Sequence, residues 1–390
     1  MRRDAWAYGV GTILHRIHPL SENLLLTALL PIEDFGRWSV ASAFYIGIVS
    51  LMHGGVPAAV LRYVPLYPQA KESLLRYALL RITGWGVGGI IFLISLTLTV
   101  ERDARLLLVA HGPALIAVLW GETLRAYLRG GYENVAFLRW QAISVPVGLG
   151  LLGVLAAEQG LIGAAIVRLL QPLWGLLPLL PYIVRALRAP VQTFPGFNHF
   201  GYNSLWGNLA LEGIFFLPGW FIGWRGTAET AAYWRWATLI PLNLRSLFAQ
   251  AVMYFYPHWV QMSYPPLQWY KRYAPYLHGA AWGVGLSVST WGLFWAIFPG
   301  EAYLPARPYF FWGTVVGYLW STEALLFPNL LSARGKIQLY SLAYAGGLLV
   351  ALPWYGWAGE SLAMYLIGLG AAAVSAALVA AYFLWRDRYS

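Results

Sequence analysis

Apolar stretches of about twenty residues follow one another along nearly the whole chain, separated by connectors of only a few polar residues. Hydrophobic residues make up 59% of the 390 positions and charged residues only 11%, more apolar surface than a water-soluble core of this length can bury. Lipid has to cover the remainder. A spanning backbone in lipid must satisfy its own hydrogen bonds, which makes each stretch a helix. The expected fold is therefore an all-α integral membrane protein with about twelve transmembrane helices, at 9–30, 35–57, 74–100, 106–128, 135–157, 160–183, 200–223, 231–254, 273–298, 306–329, 337–357 and 361–385.

Charge placement orients these helices. With the N-terminus inside, every inner connector is basic: Arg2/Arg3, Arg62/Lys71, Arg129, Arg185/Arg188, Lys271/Arg272, Arg334/Lys336 and Arg386/Arg388. The outer connectors carry Glu33/Asp34, Glu101/Asp103, Glu158, Glu229, Glu301 and Glu360. This is the positive-inside pattern, and it predicts both termini in the cytoplasm. The formal charge of +10 is thus a topology signal rather than a nucleic-acid footprint. No cleavable leader is expected, because Met1 to Asp4 lead into a segment holding His15, Arg16 and His18.

Two halves resemble each other. Gly160-Leu-Ile-Gly163 and Gly356-Trp-Ala-Gly359 begin 196 residues apart, as do Glu33 and Glu229. The expected organisation is an N-terminal six-helix bundle at 1–183, a cytoplasmic linker at 184–199 with Pro190, Pro195 and Gly196, and a C-terminal six-helix bundle at 200–390. These would be parallel repeats around a central cavity.

Several chemistries are excluded or disfavoured by what the motifs lack. The chain has no cysteine, hence no disulfide, thiolate metal site or cysteine nucleophile. Gly84, Gly86 and Gly89 have dinucleotide-loop spacing, but an apolar helix surrounds them, and close helix packing explains them better. Gly335-Lys336 lacks the rest of a phosphate loop. His15 and His18 share one helix face without a paired ligand set, so a structural or cavity role is preferred to a metal. No triad or carboxylate pair can be assigned, so the chain is read as a non-enzyme without cofactors.

Ionisable residues at membrane depth carry more information, since one exposed to lipid at the helix centre costs ~2.5–3.5 kcal/mol or more. They should face protein or water. The candidates are Arg16, Glu22, Arg168, Glu212, Arg245 and Glu323, each readable either as a structural ion pair or as a transport group. Glu122 and Arg125, three apart, read as a local pair. The arginines favour an anionic cargo, because a planar guanidinium binds two phosphate oxygens at once. Glu22, Glu212, Glu323, His15 and His18 are the candidate ion-coupling or cavity groups. Pro218-Gly219 is the preferred bending point, with a static kink as the alternative.

The stretch Leu29-Leu-Pro-Ile-Glu-Asp-Phe-Gly-Arg-Trp38, continuing to Gly54-Gly55-Val-Pro57 and Leu61-Arg-Tyr-Val64, resembles the polysaccharide-biosynthesis and O-antigen flippases of the multidrug, oligosaccharidyl-lipid and polysaccharide (MOP) exporter superfamily. Further matches are Tyr127-Leu-Arg-Gly130, Gly160-Leu-Ile-Gly-Ala-Ala165, Leu331-Ser-Ala-Arg-Gly-Lys336 and Leu352-Pro-Trp-Tyr-Gly356. The resemblance implies a flippase carrying an undecaprenyl-pyrophosphate-linked oligosaccharide to the outer leaflet of a bacterial inner membrane by alternating access. It implies a cationic cavity fed by Arg16, Arg245 and, more loosely, Arg62, with Arg168 as a further contact. Expected partners are the lipid-linked oligosaccharide, membrane lipids, and a polysaccharide polymerase or glycosyltransferases; nucleic acid is not among them. The alternatives are an ion-coupled multidrug exporter of the same fold and a membrane-embedded sugar polymerase or transferase. A basic or acidic cavity separates the first two.

The absence of native cysteine makes the topology directly testable. Glu158→Cys should label from outside and Leu187→Cys from the cytoplasm with an impermeant maleimide; labelling of either from the opposite side would reverse the orientation.

Overall fold

A computed structural model describes residues 2–97, 112, 114–261, 278 and 300–386. These residues are helical, with no strand among them. The helices are α1 (Arg2–Leu29), α2 (Ile32–Met52), α3 (Val56–Leu66), α4 (Lys71–Thr97), α5 (Leu115–Gly130), α6 (Asn134–Gly175), α7 (Leu180–Arg188), α8 (Phe197–Arg225), α9 (Ala228–Gln261), α10 (Arg307–Trp320), α11 (Glu323–Ala333), α12 (Ile337–Ala358) and α13 (Leu362–Arg386). Among the described residues six helical stretches are long and apolar enough to cross a membrane, one of them the continuous run over α6 and α7. The chain is a multi-pass membrane protein. Apart from residue 278, the expected span at 273–298 lies outside the described residues, as do 98–100 of that at 74–100 and 106–111 and 113 of that at 106–128.

The helices begin and end where local chemistry requires. The span expected over 35–57 stops at Met52, because Gly54 and Gly55 adopt positive φ (54° and 69°) and turn the chain into α3, whose first turn holds Pro57. The span expected over 306–329 is likewise two helices, since Thr322 leaves helical geometry (φ −115°, ψ −122°) between α10 and α11. The α5 end closes with the amide of Glu133 on the carbonyl of Leu128 at 2.8 Å, Tyr132 taking φ 57°. The α11 end closes the same way, Lys336 donating to Leu331 at 3.0 Å beyond Gly335.

The repeated glycine turns are real but offset. Within α6, Gly160 breaks the helix with φ 58° and ψ −133°. Its conformational counterpart is Gly359, with φ 54° and ψ −116° between α12 and α13, rather than Gly356. Gly163 is instead a packing residue, because a Cβ there would overlap the Leu155 carbonyl across the turn.

Contacts divide the chain into two compact units that do not follow its order. The first holds Met1–Leu30 with Tyr45–Trp206, the second Pro31–Phe44 with Gly207–Ser390, so α2 and α8 each contribute to both. In the first, α1 lies along α6, while α3 and α4 pack on α5. In the second, α12 pairs with α13 and α9 with α10. There Phe44 stacks on Trp220 at 4.7 Å. The Val40 side chain lies over Gly223, and Ala43 over Gly219. Small residues permit this approach, which supplies the van der Waals attraction that association within lipid depends on.

Gly55 marks the tightest approach in the first unit, since a Cβ there would collide with the Gly201 carbonyl as well as straining a positive φ. Gly55→Ala should lower thermal stability in detergent by about 1–3 kcal/mol or more. Gly84→Ala, with nothing within 4 Å of its Cβ, should be neutral or slightly stabilising. Equal melting of the two variants would remove the packing assignment.

Candidate functional site

Within the first unit a cavity of about 250 Å³ opens between α1, α2, α5 and α6. His15 and His18 enter from α1, Glu122 and Arg125 from α5, and Arg168 and Gln171 from α6, with Tyr45 and Trp140 as aromatic wall. The i, i+3 spacing on each helix puts each polar pair on one face.

Two ion pairs organise this wall. Arg168 donates to Glu22 at 2.7 Å, joining α6 to α1. Glu22 is buried, at 7% side-chain exposure against 22% for Arg168, so that carboxylate depends on its partner. His18 extends the network, with Nδ1 3.8 Å from Glu22 and Nε2 2.6 Å from the Gln171 amide. On α5, Arg125 donates to Glu122, as the spacing predicts. Arg16, Arg125, Arg129 and His53 all act electrostatically on Glu122. Arg125 and Arg129 thus act on a single carboxylate, and the Glu22–Arg168 pair cancels itself. The region carries a positive surplus.

Arg129 is notable because its charge is buried, at 8% exposure, rather than held out in a connector. Its guanidinium lies 4.9 Å from the Phe137 ring and 5.6 Å from that of Tyr8. Nε and Nη2 have no hydrogen-bond partner among the described residues.

The other sequence candidates disperse. Arg16 lies half-buried on α1 in the field around Glu122. Arg62 stacks over Phe200 at 5.0 Å, away from the cavity lining. Arg245 falls within α9, with its side chain outside the described residues. Glu212 is half-buried on α8. Glu323, in the first turn of α11, lies 2.8 Å from His278 Nε2, whose Nδ1 is 2.9 Å from the Tyr318 hydroxyl. Pro218 and Gly219 lie inside the single helix α8, where Gly219 serves contact with Ala43. Backbone departures among the described residues include those at Gly54–Gly55, Gly160 and Thr322.

No protein-family model and no curated protein matches the chain. Solved structures do match. An outward-facing conformation of a multidrug resistance MATE family transporter of the MOP superfamily is 16% identical, with a TM-score of 0.69, over 99% of this chain and 94% of that one. An inward-facing conformation of a multidrug resistance MATE family transporter of the MOP superfamily matches at 0.64 and 16% identity, over 97% and 98%. A third, a MOP superfamily transporter from Pyrococcus furiosus whose description reports a binding pocket of reverse polarity suggesting a different function, matches at 0.66 and 16% identity, over 99% and 94%. The chain has the MATE transporter fold.

If the Glu22–Arg168 pair is structural, Arg168→Ala should strand a buried carboxylate and cost about 3–5 kcal/mol. Folded membrane yield would fall, and the double variant Glu22→Gln with Arg168→Gln should recover most of it. Normal yield for Arg168→Ala would assign this arginine to cargo instead.

Proposed function

We propose that this protein is an alternating-access exporter of the MOP type, carrying small amphiphilic organic solutes outward across a bacterial cytoplasmic membrane with both termini inside. The observation that carries the reading is likeness over nearly the entire chain to MATE structures described as outward-facing and as inward-facing. A fold alone does not choose a cargo. Export of the multidrug kind is nonetheless the reading these neighbours support better than the flippase implied by sequence resemblance.

The cavity supplies the polarity of the cargo. With Arg125 and Arg129 both acting on Glu122, an anion entering the cavity meets a positive balance. Anionic amphiphiles fit better than cationic ones. That same surplus favours a second reading, the flipping of a lipid-linked oligosaccharide, whose pyrophosphate would occupy the cavity while its polyprenyl chain remains in lipid. On that reading the sugar polymerase or glycosyltransferases of the same process are its partners.

Everted membrane vesicles test both. Energised vesicles should accumulate an anionic fluorescent amphiphile severalfold faster than a cationic one of equal size, and Arg125→Gln at normal abundance should erase the difference. Restored surface glycan in a cell lacking its own flippase would favour the second reading. Failure to move either dye or to restore glycan, with folded protein present, would overturn the exporter assignment.

A further inference from the structure

A second basin, of about 520 Å³, lies on the first unit beside the cavity already described. It is formed by the start of α6 and by α7, and its polar lining is Tyr132, Glu133, Arg139, Tyr182 and Arg185, with Trp140 behind them. Trp140 lines both spaces.

The basin is charged for an anion. Glu133 is taken up by Lys71, whose Nζ is 2.7 Å from its Oε1. Arg139 and Arg185 are exposed and have no carboxylate partner among the described residues. The Arg185 guanidinium is held over the Tyr182 ring at 4.6 Å, which fixes its plane. Trp140 supplies an observation on the inner-cavity side. The residue is only 7% exposed, and its Nε1–H, a donor with no acceptor role, has no partner among the described residues. A buried donor without a partner is costly, and a ligand oxygen in the inner cavity relieves that cost. Gly175 and Gly121, both of the inner cavity lining, lie nearest the indole Nε1 and Cζ2, so the donor is on the inner-cavity side.

The surroundings indicate what carries the anion. On α7, Ile183 and Ala186 face inward, while Leu180, Val184 and Leu187 are exposed apolar side chains. An acyl or prenyl chain can lie along that face with its headgroup among the arginines. A free phosphate would have no use for it.

We propose that this basin docks the phosphate headgroup of an anionic membrane lipid, and that an anionic amphiphile passes from it into the inner cavity by way of Trp140. The docking half stands on the basin itself; the passage half rests on the exporter reading.

The test uses the purified full chain with three probes: dioctanoyl phosphatidylglycerol, dioctanoyl phosphatidylcholine and inorganic pyrophosphate. Phosphatidylglycerol should bind at least tenfold more tightly than the other two. Arg139→Gln combined with Arg185→Gln should weaken that binding at least tenfold, whereas Arg188→Gln, exposed on the same helix but outside the basin, should leave it unchanged. Equal binding of phosphatidylcholine, or an unaffected double variant, overturns the anionic dock. Pyrophosphate binding as tightly as phosphatidylglycerol overturns the lipid as its source. Trp140→Phe keeps the ring bulk but removes the donor; it should slow vesicle transport of an anionic amphiphile at least fivefold with phosphatidylglycerol binding intact. An unchanged rate overturns passage by Trp140. If the wild-type protein binds phosphatidylglycerol and transports nothing, the exporter reading fails and the dock stands.

Discussion

The whole architecture follows from the cost of an unsatisfied polar group in hydrocarbon. Backbone donors and acceptors must pair within each segment, which makes the chain helical. Breaks then occur only where the freed groups find other partners. At Gly54–Gly55 the amide of Val56 returns to His53 at 2.9 Å, and beyond α5 the amide of Glu133 returns to Leu128 at 2.8 Å. The same cost governs side chains. Glu22 is buried because Arg168 crosses from α6 to meet it, and Arg129 is sheathed by two aromatic rings.

Those two arginines show how a cavity can be polar without being soft. Arg168 is committed to Glu22 and locks α1 against α6, so its charge is largely spent on structure. Arg125 is committed to Glu122 as well, but Glu122 feels Arg16, Arg129 and His53 besides. A carboxylate shared among several guanidinium groups cannot neutralise them all. Arg129, whose Nε and Nη2 find no hydrogen-bond partner among the described residues, is one whose charge that carboxylate does not take up alone.

Much of the fold was legible because apolar runs and connector charges are local properties of a sequence. The α6 turn at Gly160 and the acidic starts of α2 and α9 are visible in the residues alone. The break at Thr322 is not, because neither glycine nor proline marks it. The offset between Gly160 and Gly359 was hidden for a related reason: glycine spacing shows where a turn is possible, not which glycine takes positive φ. The cavity was legible only in part. Arg16, His15, His18 and Arg168 stand out as polar residues in apolar helices. Glu22 and Arg168, however, lie 146 positions apart, a pairing no local pattern carries. Glu122–Arg125 was readable as a pair by its spacing, yet not as cavity wall. Arg129 looked like one more connector charge.

Burial sets Arg129 apart from an exposed connector charge. A basic residue near a helix end normally serves orientation, holding its charge at the interface. Arg129 turns inward among Tyr8 and Phe137 at the cost of desolvating its charge. Orientation cannot explain that cost, since an exposed arginine would orient the helix as well. What it does do is act, from a buried position, on Glu122 of the cavity wall. The fold is shared with transporters described as multidrug resistance proteins, and the neighbour from Pyrococcus furiosus is described as differing in pocket polarity. Backbone architecture and pocket charge are therefore separable properties. On the reading proposed above, the cargo meets Arg125 and Arg168, each already paired with a glutamate, and α1, α5 and α6 hold those pairs about one space.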